Sequence, residues 1–145
     1  MVSAVQATKN GIKRRVLIVD DSPQVRQELR FLLPLAGDIE IVGEAADGRE
    51  ALHMVETLRP QVVLMDLEMP VLDGYAAAQL VKEALSGCRV IALSIHEDAA
   101  ARQKAAEAGM DSFVSKASRL QELLDAIRVA ARSSDSTLVN EGETQ

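Results

Sequence analysis

Apolar and polar residues alternate along the chain in blocks whose period switches back and forth. RVLIVD (15–20) is a short, nearly unbroken apolar run and predicts a strand covered on both faces. Ser22-Pro23 follows, an N-cap with proline at the first helical position. Val25, Leu29, Leu32 and Leu33 then share one helical face until Pro34 and Gly37 end it. IEIVGEA (39–45) predicts a second strand. Asp47-Gly48 opens a helix with Ala51, Leu52, Val55 and Leu58 on one stripe, stopped by Pro60. QVVLMD (61–66) predicts the third strand, and Pro70 with Asp73-Gly74 marks a loop and turn. An alanine-rich helix is expected over Tyr75 to Leu85, a fourth strand over RVIALS (89–94), and a helix over Glu97 to Ala108 ended by Gly109. DSFVSK (111–116) predicts a short fifth strand. Ser118 and Gln121 have the spacing of a capping box ahead of a stripe of Leu120, Leu124, Ile127 and Ala131.

Five strand–helix units with short connections imply an α/β fold, a doubly wound parallel sheet with helices on both faces. Residues 1–13 are polar and mixed and are expected to form a flexible leader. The domain is expected over 14–132, and the polar, aperiodic 133–145 is expected to be a flexible tail. At 145 residues, 48% of them hydrophobic and 26% charged, the chain fits one globular domain. A net charge of −6 argues against a nucleic-acid-binding surface on this chain. The single cysteine, Cys88, rules out an internal disulfide and reads as a small buried hydrophobe. The first residues lack the apolar core of a signal peptide, and no window offers 18 uninterrupted apolar residues for a membrane span. A cytoplasmic location is the resulting expectation.

Charge changes the picture at the strand ends. The first strand runs into Asp20 and Asp21, and the third stops on Asp66. In parallel sheets ligands sit beyond the carboxyl ends of the strands, where the winding reverses. If the two strands are neighbours, three carboxylates converge and raise one another's pKa values. A hard divalent cation such as Mg²⁺ removes that conflict, and a carboxylate beside it can attack phosphorus. A single Asp after a strand is more often a helix cap. An Asp-Asp pair on one strand end with a third on another is harder to explain that way. The fourth strand ends on Ser94 and the fifth on Lys116, a hydroxyl and an ammonium suited to phosphoryl oxygens.

Taken in order, VLIVDDSP, VVLMDLEMPVLDG, VIALS and FVSK resemble the receiver domain of two-component response regulators over about residues 14 to 131. The resemblance implies a flavodoxin-like (βα)5 fold with strand order 2-1-3-4-5. It implies Asp66 as the phospho-acceptor and Mg²⁺ held by Asp20, Asp21, Asp66 and the backbone carbonyl of Glu68, with Asp21 the more direct ligand. Ser94 and Lys116 would bind the phosphoryl group. Phe113 would be the switch aromatic that moves together with Ser94, although an ordinary core aromatic remains an equal alternative. Implied partners are a histidine kinase or phosphotransfer protein and a downstream protein or fused output domain, with a homodimer left open. The chain departs from the family's common pattern at Ala117, where many members have proline, and at Ser94, where threonine is commoner. The turn after the lysine raises the expectation of a cis Lys116–Ala117 peptide. Glu68 is expected to border the acceptor, pair with Lys116 and repel an anionic donor. LSIHED (93–98) with AGMDSFVSK (108–116) is most similar to receivers attached to LuxR-type DNA-binding domains.

On this reading the chain is a signalling switch, not an enzyme beyond its own phosphorylation and slow dephosphorylation. It is either a stand-alone receiver or part of a longer DNA-binding regulator. A phosphatase of the haloacid dehalogenase type would also use an aspartyl phosphate, but it needs Asp-x-Asp-x-Thr, and the run here is Asp66-Leu67-Glu68-Met69-Pro70 with no cap domain. A receiver-like scaffold that is never phosphorylated is disfavoured because all the expected side chains are present.

Overall fold

Each apolar run of the sequence becomes a strand in the computed structural model, which describes residues 13–143. The strands are β1 (Arg14–Val19), β2 (Ile39–Ala45), β3 (Val62–Asp66), β4 (Arg89–Ser94) and β5 (Ser112–Ser115). Five α-helices follow them in turn: α1 (Pro23–Leu32), α2 (Gly48–Leu58), α3 (Gly74–Ala84), α4 (Ala99–Glu107) and α5 (Leu120–Glu143). The strands pair in parallel in the order β2-β1-β3-β4-β5, the flavodoxin-like order the resemblance implies.

Burial explains why the strand sequences are almost wholly apolar. All five residues of β3 and the last four of β1 are buried. Period-2 alternation sends Leu17, Val19, Val63, Met65, Val90 and Ala92 into one core with Ala51 and Val55 of α2, Ala77 and Val81 of α3, and Ala105 of α4. It sends Val16, Ile18, Val62, Leu64, Ile91 and Leu93 into a second core with Leu29 of α1 and Leu123, Leu124 and Ile127 of α5. Three helices (α2, α3 and α4) thus cover one face of the sheet and two (α1 and α5) the other. No helix among the described residues is long and apolar enough to cross a membrane.

The predicted punctuation is the observed punctuation at most helix ends. Ser22, Asp47, Asp73 and Asp98 each accept a backbone N–H in the first turn of α1, α2, α3 and α4, at 3.2, 2.9, 2.9 and 2.8 Å. Three expectations fail. The capping box at Ser118 does not form: α5 begins at Leu120, and the Gln121 amide donates to Asp125 Oδ1 at 2.9 Å instead of reaching back. The same helix does not stop near Arg132 but runs to Glu143, because no proline or glycine interrupts the segment before Gly142. No peptide among the described residues is cis, so Lys116–Ala117 is trans. A non-proline cis bond costs about 2.5–4 kcal/mol. The turn is secured without it: Ser115 Oγ accepts the Ala117 N–H at 3.0 Å, and Lys116 N–H donates to Ser94 O at 2.9 Å.

One glycine fixes the site end of the sheet. Gly74 begins α3 against the end of β3, and a Cβ there would collide with the Asp66 carbonyl oxygen and lie 2.8 Å from Leu67 Cα. Both contacts are backbone, so neither can swing aside. Gly74→Ala is expected to destabilise the protein by about 2–3 kcal/mol, as overpacking does. Gly87→Ala, with nothing within 4 Å of the new Cβ, should be neutral or slightly stabilising. Urea denaturation of both variants checks the contrast, and equal midpoints would contradict it.

Candidate functional site

Strand register alone brings the polar strand ends together. Val19 of β1 is level with Met65 of β3, so Asp20 lies beside Asp66. Asp66 is level with Leu93, which sets Ser94 one step beyond, and Ser94 is level with Ser115, just before Lys116. Asp20, Asp66 and Ser94 are all buried, whereas Asp21 is exposed at the rim.

The Lys116 ammonium bridges the acidic pair, 3.0 Å from Asp20 Oδ2 and 3.2 Å from Asp66 Oδ1. Asp66 Oδ1 also accepts the Glu68 N–H at 3.1 Å, and Asp20 Oδ1 accepts the Ser22 N–H at 2.9 Å. Burial of the carboxyl and the negative charge of Asp20 push Asp66 up to about 6 from its ordinary value of 3.8, against the opposing pull of Lys116. Burial works against the charge of Lys116, but its two carboxylate partners prevail and hold the ammonium above its usual range.

Carboxylate oxygens of Asp20, Asp21 and Asp66 lie within 4.8 Å of one another. Asp20 Oδ2 is buried, and the Lys116 ammonium faces it as an ion pair at 3.0 Å. An all-oxygen donor set with a buried oxygen fits a hard divalent cation.

The other expected residues fall around this centre, with one change of partner. Glu68 does not reach Lys116. Its Oε2 accepts the Ser94 hydroxyl at 3.1 Å and lies 3.7 Å from His96 Nε2. The short side chain of Ser94 meets Glu68 across the strand end, while the lysine is already claimed by two buried carboxylates. Phe113 is partly buried against the core, and the Arg102 guanidinium covers its ring at 4.6 Å from the centroid. His53 is exposed on α2. Cys88 is buried, with its thiol pushed up to about 12 chiefly by that burial, in keeping with an inert core residue. Arg26 was not foreseen. Its guanidinium donates to the Asp20 carbonyl at 2.7 Å and to Glu44 Oε1 at 3.3 Å, tying α1 to the acidic strand end. An arginine one helical turn after an N-cap carries no signal of such a contact in sequence.

The raised Asp66 carboxyl makes a signed prediction for the cation-free protein. Ionising Asp66 is easier in the unfolded chain than in the fold, so its charge subtracts stability as pH rises from about 4 to 6 and by a constant amount above that. Asp66→Asn should therefore match wild type near pH 4 and exceed it by about 1–3 kcal/mol at pH 7.5 in EDTA. Denaturant titrations across this range read the difference directly, and a pH-independent offset would contradict the assignment.

Residues 16–128 match the response regulator receiver domain. The chain is 39% identical over 118 residues to the transcriptional regulatory protein LiaR of Bacillus subtilis, covering 81% of this chain and 56% of LiaR. It thus spans little more than half the length of the curated relatives it matches. The signal receiver domain of the response regulator NarL from Mycobacterium tuberculosis superposes with a TM-score of 0.79 at 34% identity, covering 83% of this chain and 98% of that one. A LuxR-family two-component response regulator from Aurantimonas superposes with the same TM-score of 0.79 at 30% identity, over 92% of this chain and 99% of that one. With the strand order, the acidic strand ends and the bridging lysine already in view, the match over residues 16–128 assigns the chain to the response regulator receiver domain family, related to the receivers of LuxR-type regulators.

Proposed function

We propose that Asp66 accepts a phosphoryl group from a phosphohistidine donor and that the chain then presents an altered surface to an output partner. The observation that carries this reading is the bridging of Asp66 and Asp20 by Lys116 at the sheet's open end. An Asp66 carboxylate oxygen attacks phosphorus, the bond from phosphorus to the donor nitrogen breaks, and its electron pair leaves with the imidazole. Lys116 keeps Asp66 ionised against burial and then balances charge on the transferred group. Ser94, adjacent to Asp66 in the sheet, has a hydroxyl to donate to a phosphoryl oxygen. Asp20, Asp21, Asp66 and the Glu68 carbonyl would hold Mg²⁺, which offsets negative charge on the phosphoryl oxygens when bound.

Phe113 is the proposed switch aromatic, moving with Ser94 when the latter engages the phosphoryl group. The Arg102 guanidinium over its ring supports a set position in the unphosphorylated protein. The donor is a histidine kinase or phosphotransfer protein. The output is a downstream protein or a fused domain, a reading supported by the name of LiaR, a transcriptional regulatory protein of which this chain matches the 118-residue portion. Function of this kind needs no substrate pocket and belongs in the cytoplasm, where the donor's phosphohistidine is made.

Acetyl phosphate with Mg²⁺ should label wild type at a single residue and leave Asp66→Asn unlabelled, as read by intact mass and peptide mapping. Full labelling of the variant would refute the acceptor assignment. Mg²⁺ affinity is expected to fall by at least tenfold in Asp21→Asn, whose carboxylate is exposed and free to face a cation. The fall should be smaller in Asp20→Asn, whose oxygens already answer Ser22 and Lys116. Calorimetric Mg²⁺ titration of the two variants tests this order, and an equal or reversed one would contradict it.

A further inference from the structure

Ser94 has one hydroxyl hydrogen, and in the structure that hydrogen is committed. Ser94 Oγ donates to Glu68 Oε2 at 3.1 Å while accepting the His96 N–H at 2.9 Å. Ser94 is fully buried, so its hydroxyl must keep a partner. Glu68 is different: its side chain is 46% exposed, and water can replace the serine at modest cost. A phosphoryl oxygen on Asp66 would need the same hydrogen. The two acceptors cannot both have it.

We propose that Glu68 is a positioning residue that latches Ser94 in the unphosphorylated state, occupying the hydroxyl with a carboxylate until a phosphoryl group on Asp66 displaces it. The inference rests on Asp66 being the acceptor. It differs from simple repulsion of an anionic donor by Glu68, because repulsion acts at a distance and needs no serine. A latch acts only through the hydroxyl. His96 supports it from the backbone: its N–H fills the accepting side of Oγ, which leaves the hydrogen directed at Glu68. Its imidazole, 3.7 Å from the same carboxylate oxygen, braces Glu68 from the solvent side.

Beryllofluoride, a phosphoryl mimic, tests the latch by calorimetry at saturating Mg²⁺ on wild type, Glu68→Ala, Ser94→Ala and the double variant. Removing the latch should tighten beryllofluoride binding about three- to tenfold, equivalent to roughly 0.7–1.4 kcal/mol. In the Ser94→Ala background the Glu68→Ala gain should vanish, because there is no hydroxyl to release. Glu68→Gln supplies a second reading: its amide oxygen still accepts a hydrogen bond but without charge, so its affinity should fall between wild type and Glu68→Ala. An equal gain with and without Ser94, or identical affinities for Glu68→Gln and Glu68→Ala, would show repulsion and overturn the latch alone. No gain on Glu68→Ala would overturn it as well. Failure of wild type to bind beryllofluoride at all, matching Asp66→Asn, would overturn the acceptor assignment and the latch together.

Discussion

The Lys116 ammonium lies between two buried carboxylates, 3.0 Å from Asp20 and 3.2 Å from Asp66, and the tolerability of the whole strand edge turns on it. At an effective dielectric of about 20, each such contact is worth roughly 5 kcal/mol before desolvation. Withdrawing each ion from water costs several kcal/mol, so the three groups come near to balance without reaching it. Two carboxylates face one ammonium, and the excess negative charge has to be absorbed somewhere. Asp66 absorbs it by a carboxyl raised to about 6, which leaves the site close to the point where gaining a cation or losing a proton decides its charge.

The fold serves this edge. Five parallel strands end together because the register shifts almost none of them out of step, and helices cover both faces so that reactive groups are exposed only where the strands stop. Gly74 lets α3 start directly against the Asp66 carbonyl, and Arg26 pins the Asp20 carbonyl from α1. The site is therefore held by backbone on both sides, while Ser94 and Glu68 meet through side chains alone. Ser94 rotates about a single bond and Glu68 is half in water.

Most of this was legible in the chain because the strands and their polar ends are contiguous in sequence. An apolar run that stops on Asp66, and another that stops on Asp20, state the burial and the location of the charge at once. Ser94 and Lys116 follow from the same rule applied to β4 and β5. Contacts between side chains from different elements were not legible. Nothing in the spacing says that Glu68 turns to Ser94 and His96 instead of Lys116, or that Arg102 stacks on Phe113, since both depend on where α4 and the loop after β3 pass over the sheet. The trans Lys116–Ala117 peptide was missed for a related reason. Analogy supplied a turn suited to proline, while Ser115 Oγ and Ser94 O meet the local hydrogen-bonding need without one. The end of α5 was misjudged because loss of an apolar stripe removes the reason to pack, not the ability to be helical.

The most direct test of the account is the titration of the Asp66 carboxyl carbon by NMR in the cation-free protein, in wild type, Lys116→Met and Asp20→Asn. If Asp66 is held high by burial and by Asp20 and drawn down by Lys116, it titrates near 6 in wild type, higher in Lys116→Met and lower in Asp20→Asn. An Asp66 carboxyl that titrates near 4 in all three proteins would contradict the central claim that this edge of the sheet is an imperfectly balanced cluster of buried charge.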